Sequence, residues 1–109
     1  MPLSNTIFSL VASVDSSSSV VARSTVPVPS DITTAVVLLP ANANRKGASF
    51  YNNSEGNLLV ELGAAPTNAA YAAKINPQGY YELPFGFTGQ IQGKWDAAGG
   101  SGALIREFS

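Results

Sequence analysis

The sequence predicts an all-β protein: a single β-sandwich or jelly-roll-like domain over residues 20–109, preceded by an extended N-terminal arm over residues 1–19. Two observations lead there. Short runs rich in β-branched and aromatic residues recur with Gly, Asn and Pro turn signals between them, spaced about 8–12 residues apart. No window carries the long apolar stripe of period 3.6, with caps, that marks a helix. The count comes to about seven or eight short strands, which suits a sandwich or jelly roll and leaves the topology open.

The arm contains the apolar run "IFSLVAS" and the serine run Ser16 to Ser19. Serines of this kind favour turns and flexible links. The run is short, no Lys or Arg precedes it, and Asp15 follows, so a secretory signal is not expected. Ile7, Phe8, Leu10 and Val11 are candidates for docking on a neighbouring subunit; the plain alternative is a frayed terminus.

The strands then follow in order. "VVARSTVPV" is β-branched, and Pro27 and Pro29 place its later half at an edge or outside the sheet. "TTAVVLLP" is apolar nearly throughout, as for a strand packed on both sides. "ANANRKG" is a loop, and "ASFYN" leads through the turn "NSEGN" to "LLVELG". There Leu58, Val60 and Leu62 share one face, and Leu59 and Glu61 the other. After the loop "AAPTNAA", "YAAKI" puts Tyr71, Ala73 and Ile75 together. "NPQG" is a β-turn with Pro77 at its second position. "YYELPF" groups Tyr81, Leu83 and Phe85, with Tyr80 and Glu82 opposite. In "TGQIQGKWD", Gln90, Gln92 and Lys94 alternate with Ile91, Gly93 and Trp95. "AAGGSG" reads as a hairpin loop before the last strand, "ALIREFS". The predicted core is Val37, Leu39, Phe50, Leu58, Val60, Leu62, Ile75, Leu83, Ile91 and Trp95.

The chain has 109 residues, of which 45% are hydrophobic and only 12% charged. Globular domains carry roughly a quarter of charged residues. Low charge leaves little repulsion between copies and suits a surface that packs against fixed neighbours. A net charge of −1 gives no electrostatic footprint for nucleic acid. No run approaches the ~20 apolar residues of a membrane span. With no cysteine, a disulfide framework and a thiolate zinc site are both ruled out.

Catalytic chemistry finds little purchase. Histidine is absent, and most of the carboxylates Asp15, Asp31, Glu55, Glu61, Glu82, Asp96 and Glu107 fall in loops or on outward strand faces. A Glu/Glu glycosidase pair would have to form across the sheets, which sequence does not show, and a Ser/Lys dyad has many serines but no local signature. "GGSG" precedes a strand, where a phosphate loop needs a helix, and Asp96 has too few oxygen neighbours for calcium. The expectation is a non-enzyme with no catalytic residue, cofactor or metal. Among the aromatics, Tyr81, Phe85 and Trp95 fit core filling, and Tyr80 and Phe87 are the candidates for exposed contacts. Arg45 joins them as a candidate partner contact; within the fold it is either a surface loop charge or a planar fork bonding Glu82 or Glu107, or turn carbonyls around Asn52 and Asn53.

From Leu39 onward the order of "NRKG", "YNNS", "LLVELG", "YAAKI", "GYYELPF", "FTG" (Phe87 to Gly89), "IQGKW" and "REF" resembles small virion proteins of tailed bacteriophages and prophages, including those of cyanobacteria. Each piece is a generic strand–turn unit; the distinctive feature is their order, over about two thirds of the chain. The arm has no counterpart in the resemblance. What it implies is a virion protein made in the host cytoplasm: a capsid decoration, or cement, protein bound to the major capsid protein or neighbouring virion proteins. It implies a homo-oligomer as well, a trimer or dimer. Related segments occur in tail and fibre proteins, so a tail-associated or glycan-contacting receptor-binding module stays open. Neither alternative involves nucleic acid or a membrane.

Overall fold

The computed structural model describes residues 20–109, and the arm candidates Ile7, Phe8, Leu10 and Val11 lie outside them. Eight strands follow in chain order: β1 (Val21–Val26), β2 (Val36–Leu39), β3 (Gly47–Ser54), β4 (Leu58–Leu62), β5 (Ala73–Ile75), β6 (Tyr80–Glu82), β7 (Ile91–Trp95) and β8 (Gly100–Phe108). The described residues contain no helix. The strands form two four-stranded antiparallel sheets, sheet I in the order β1-β8-β3-β6 and sheet II in the order β2-β7-β4-β5.

The pairing is nested. β1 pairs with β8, β2 with β7, β3 with β6 and β4 with β5. This is a long antiparallel ribbon, closed at the β4–β5 end and rolled up so that β3 also meets β8 and β4 meets β7. The result is a jelly roll. Every connection except β4–β5 therefore crosses from one sheet to the other. The turn "NSEGN" and the loop "AAGGSG" are such crossings, which corrects the hairpin expected at "AAGGSG": β7 and β8 belong to different sheets. Gly102, at φ 106°, is needed where β8 passes β1, because a Cβ there would lie 2.1 Å from the Val26 carbonyl oxygen.

Between the sheets lie Leu38, Leu39, Phe50, Leu58, Val60, Ile75, Leu83, Ile91, Trp95 and Ile105, all buried. Gly93 sits at the centre of sheet II, paired with Val36 and Val60. A Cβ on it would meet Leu38 Cδ1 at 2.7 Å, so its lack of a side chain is what admits the leucine. Leu62 only packs against the margin of this core.

Three expectations are overturned here. Val37 is 44% exposed, not core. β2 is an edge strand of sheet II whose outer face is open, and a bulge between Val37 and Leu39 turns both Leu38 and Leu39 inward. Phe85 is 58% exposed, because β6 stops at Glu82 and Pro84 ends the alternation that would have carried it inward. Phe87, expected outside, is half-buried and packs against the core, with Gly89 beneath its ring: a Cβ there would lie 2.6 Å from Phe87 Cζ.

"NPQG" is a turn in which the Gly79 N–H donates to the Asn76 carbonyl at 2.7 Å. Gln78 at its third position has φ 66°, so with Pro77 before it the turn is type II. β1 stops at Val26 on the edge of sheet I, as Pro27 and Pro29 require.

Candidate binding face and the Arg45 junction

Arg45 is built into place by its own loop. The Asn42 N–H donates to the Thr88 carbonyl, the Arg45 N–H to the Asn42 carbonyl, and the Asn44 N–H to Asn42 Oδ1. The side chain is then fully enclosed. Its Nε donates to Glu107 Oε2 at 2.7 Å, Nη1 to the carbonyls of Phe87 (2.9 Å) and Gly89 (2.7 Å), and Nη2 to the Pro40 carbonyl (2.5 Å). The planar fork thus joins the loop before β3, the loop before β7 and the end of β8. Of the arrangements considered from sequence, the Glu107 pairing is the one formed; Glu82 and the turn around Asn52 and Asn53 are not partners. Arg45 is a clamp inside the sandwich and not a surface contact. Glu107 points inward, against the general expectation for the carboxylates.

A second polar group is wholly interior. Asn52 donates from Nδ2 to the carbonyls of Gly56 and Ile75, each at 2.8 Å. Its Oδ1 accepts from Ser54 Oγ (2.5 Å) and Trp95 Nε1 (3.3 Å). Among the described residues no buried side-chain N or O lacks a partner. Tyr81 faces inward beside Phe50, ring centroids 6.0 Å apart, and burial followed by the negative charge of Glu61 raises its phenol pKa. Asp31, on the surface, accepts from the Thr33 hydroxyl and N–H and the Thr34 hydroxyl, which lowers its pKa.

The outward faces of the two sheets differ in kind. Strand alternation and register place three rows across the outer face of sheet I. One row runs Val21, Phe108, Gly47; the next Arg23, Arg106, Ser49, Glu82; the third Thr25, Leu104, Tyr51, Tyr80. Tyr80 is 62% exposed and Val21 53%. Tyr51 stands beside Tyr80 and its hydroxyl donates to Gln78 Oε1. Among the described residues neither Arg23 nor Arg106 is ion-paired. Aromatic, aliphatic and arginine side chains without lysine are the composition of a protein–protein contact.

Sheet II presents Gln92, Lys94, Glu61 and Lys74 around a covered Leu59, with exposed Val37 opposite Gln92 at the β2 edge. Two shallow depressions of about 150 and 230 Å³ lie there and share Asn68 and Asp96 in their walls. Asp96 is already engaged by the backbone and side-chain N–H groups of Asn57. Among the described residues no three of His, Cys, Asp or Glu gather to hold a metal ion, and no helix is long and apolar enough to cross a membrane.

Tyr80 therefore belongs to the candidate face, while Phe87 and Arg45 do not. Sequence reasoning missed Val21, Arg23, Tyr51, Leu104, Arg106 and Phe108. Alternation marks each as opposite in facing to a core residue, but only the nested pairing brings β1, β8, β3 and β6 side by side. Comparison with protein-family models, with curated proteins and with solved structures gave no match to this chain.

Proposed function

We propose that this chain is a phage virion structural protein, a capsid decoration protein that binds and stabilises the head shell through the outer face of sheet I. The virion assignment draws on the motif order from Leu39 onward. The observation that carries an attachment role is the make-up of the sheet I face: Tyr80, Tyr51, Leu104, Phe108 and Val21 around Arg23 and Arg106, with Glu82 at its rim. The face of sheet II carries Lys74, Lys94, Glu61 and Gln92 and exposes only Val37 and Tyr71 among the large apolar side chains of the described residues. A binding protein of this kind requires a rigid support, which the Arg45 and Asn52 networks supply, and no catalytic residue, cofactor or metal. The partners are the major capsid protein or neighbouring virion proteins.

A second reading is favoured by one detail. The adjacent Tyr51 and Tyr80 rings could serve a tail- or fibre-borne module as a platform for host glycan. Antibody labelling of intact particles in negative stain separates the two: label over the head supports decoration, and label confined to the tail overturns it. In the decoration reading, Tyr80→Ala and Arg106→Glu each weaken binding to stripped heads by about tenfold or more, a loss of about 1.4 kcal/mol. Unchanged binding by both variants would remove sheet I as the attachment face.

A further inference from the structure

The four sheet edges are not equally protected. β5 and β6 each span three residues, followed closely by Pro77 and Pro84 respectively. β2 is broken by its bulge and ends at Pro40. Short strands, bulges and prolines are the usual means by which an edge is kept from pairing with another chain. β1 is the longest of the four and carries no bulge: six residues pair with β8 in unbroken register from Val21↔Phe108 to Val26↔Ala103, and its prolines, Pro27 and Pro29, come only after its end. Its residues Val21 to Thr25 are all exposed.

The polarity of that edge can be assigned. Val20 and Ser109 exchange both backbone hydrogen bonds, at 2.8 and 2.9 Å. In an antiparallel pair such residues alternate with ones whose N–H and C=O turn away. Ala22, Ser24 and Val26 therefore bond β8, and Val21, Arg23 and Thr25 present their N–H and C=O groups at the open edge.

We propose that this edge receives β1 of a second copy, antiparallel about a two-fold axis through Ser24, so that two sandwiches share one continuous eight-stranded sheet. A two-fold axis normal to the sheet keeps outward residues outward, so only residues of the same facing can be opposed. Centring on Arg23 would set two like charges opposite one another, beside the two Arg106 side chains already paired with them in register. Centring on Ala22 shortens the overlap. Centring on Ser24 opposes Arg23 to Thr25 of the second copy and Ala22 to its Val26. The Arg23–Thr25 pairs then exchange backbone bonds, and Pro27, which has no N–H, falls at the end of the ladder. A second copy is the occupant favoured because the strand is self-complementary in this register, with its charges staggered. The candidate binding face would be doubled on one side of the dimer. The inference goes beyond attachment to a shell and does not depend on it.

The chain has no cysteine, so single substitutions report cleanly. Ser24→Cys, Ala22→Cys and Thr25→Cys in the full chain are oxidised and run on non-reducing gels. Ser24, a non-hydrogen-bonded pair with itself on the axis, forms the disulfide dimer, and the other two stay largely uncrosslinked. In parallel, Thr25→Pro removes an N–H that points to the open edge and not to β8. Sedimentation then shows a monomer where the parent is a dimer, with an unchanged circular dichroism spectrum. Equal crosslinking at all three positions, a parent that sediments as a monomer, or a Thr25→Pro variant that is folded and still dimeric overturns the proposal. So does crosslinking of Ser24→Cys only to a second cysteine placed at Leu10, which would make the arm the occupant. Head binding by a monomeric Thr25→Pro protein would leave the shell-attachment reading standing while this dimer is tested separately.

Discussion

Arg45 Nε and Glu107 Oε2 lie 2.7 Å apart across 62 residues of chain, with the arginine side chain fully buried and the carboxylate nearly so. The pair is closed by three backbone carbonyls, from Pro40, Phe87 and Gly89, that accept from the same guanidinium. Removing the arginine takes this donor from a nearly buried carboxylate and three carbonyls at once. Arg45→Ala should therefore cost about 3–5 kcal/mol in urea unfolding. Arg45→Lys should recover only part of this, because a single ammonium cannot reach acceptors on three sides. A loss for Arg45→Ala below about 1 kcal/mol would mean that water replaces the clamp.

Asn52 makes the same argument with a neutral group. Asn52→Ala strands the Trp95 Nε1–H, removes the side-chain donor to the Ile75 carbonyl, and leaves the Gly56 carbonyl to the Ser54 hydroxyl alone; it should cost about 2–4 kcal/mol. Asn52→Asp should be worse at neutral pH, since it sets a carboxylate oxygen against those two carbonyls. Chemical denaturation of the two variants ranks them, and the opposite order would show that the amide orientation is reversed.

Position along the apolar runs sets the third expectation. Leu58 is completely buried, so Leu58→Ala should cost about 2–4 kcal/mol. Val37 lies on the open face of β2, and Val37→Thr should stay within about 0.5 kcal/mol of the parent. Thermal unfolding of both tests the bulge that separates Val37 from the core.

Tyr81 makes stability depend on alkaline pH. Its folded pKa is raised above the ordinary 10.0, first by burial and then by Glu61. The folded state thus keeps the phenol proton where the unfolded chain releases it. Its contribution is fully present below the unfolded pKa and declines as pH rises towards the folded value. Tyr81→Phe should flatten the fall in unfolding free energy above that point. An identical alkaline slope in the variant would place its cause elsewhere.

Much of the fold was legible because period-two alternation reports facing directly. Leu58 and Val60, Ile91 and Trp95, and Ile75 all sit where alternation puts them. It fails where backbone regularity fails. Val37 was misplaced by a bulge, and Phe85 by the assumption that alternation runs through Pro84; Phe87 has the parity of Tyr81 and Leu83 and packs with them, so its expectation outside did not come from alternation. Topology was hidden because turns such as "NSEGN" and "AAGGSG" look alike whether they join neighbours in one sheet or cross between two. The candidate face was therefore hidden too: Arg23 and Arg106 are 83 residues apart in sequence, by subtraction of their numbers, yet adjacent in register. The Glu107 pairing of Arg45 could be posed from residue chemistry but selected only by the fold.

The reciprocal hydrogen bonds between Val20 and Ser109 set how the domain answers to load. Both ends of the sandwich leave from the same end of the β1–β8 ladder. A pull between them opens that ladder as a zipper, one narrow pair at a time, rather than shearing all its bonds together. Tension on the ends would peel β1 first at low force, leaving β3 against β8 and the Arg45 clamp still closed. A second strand hydrogen-bonded along the open side of β1 would hold it from both flanks and raise the force at which peeling begins.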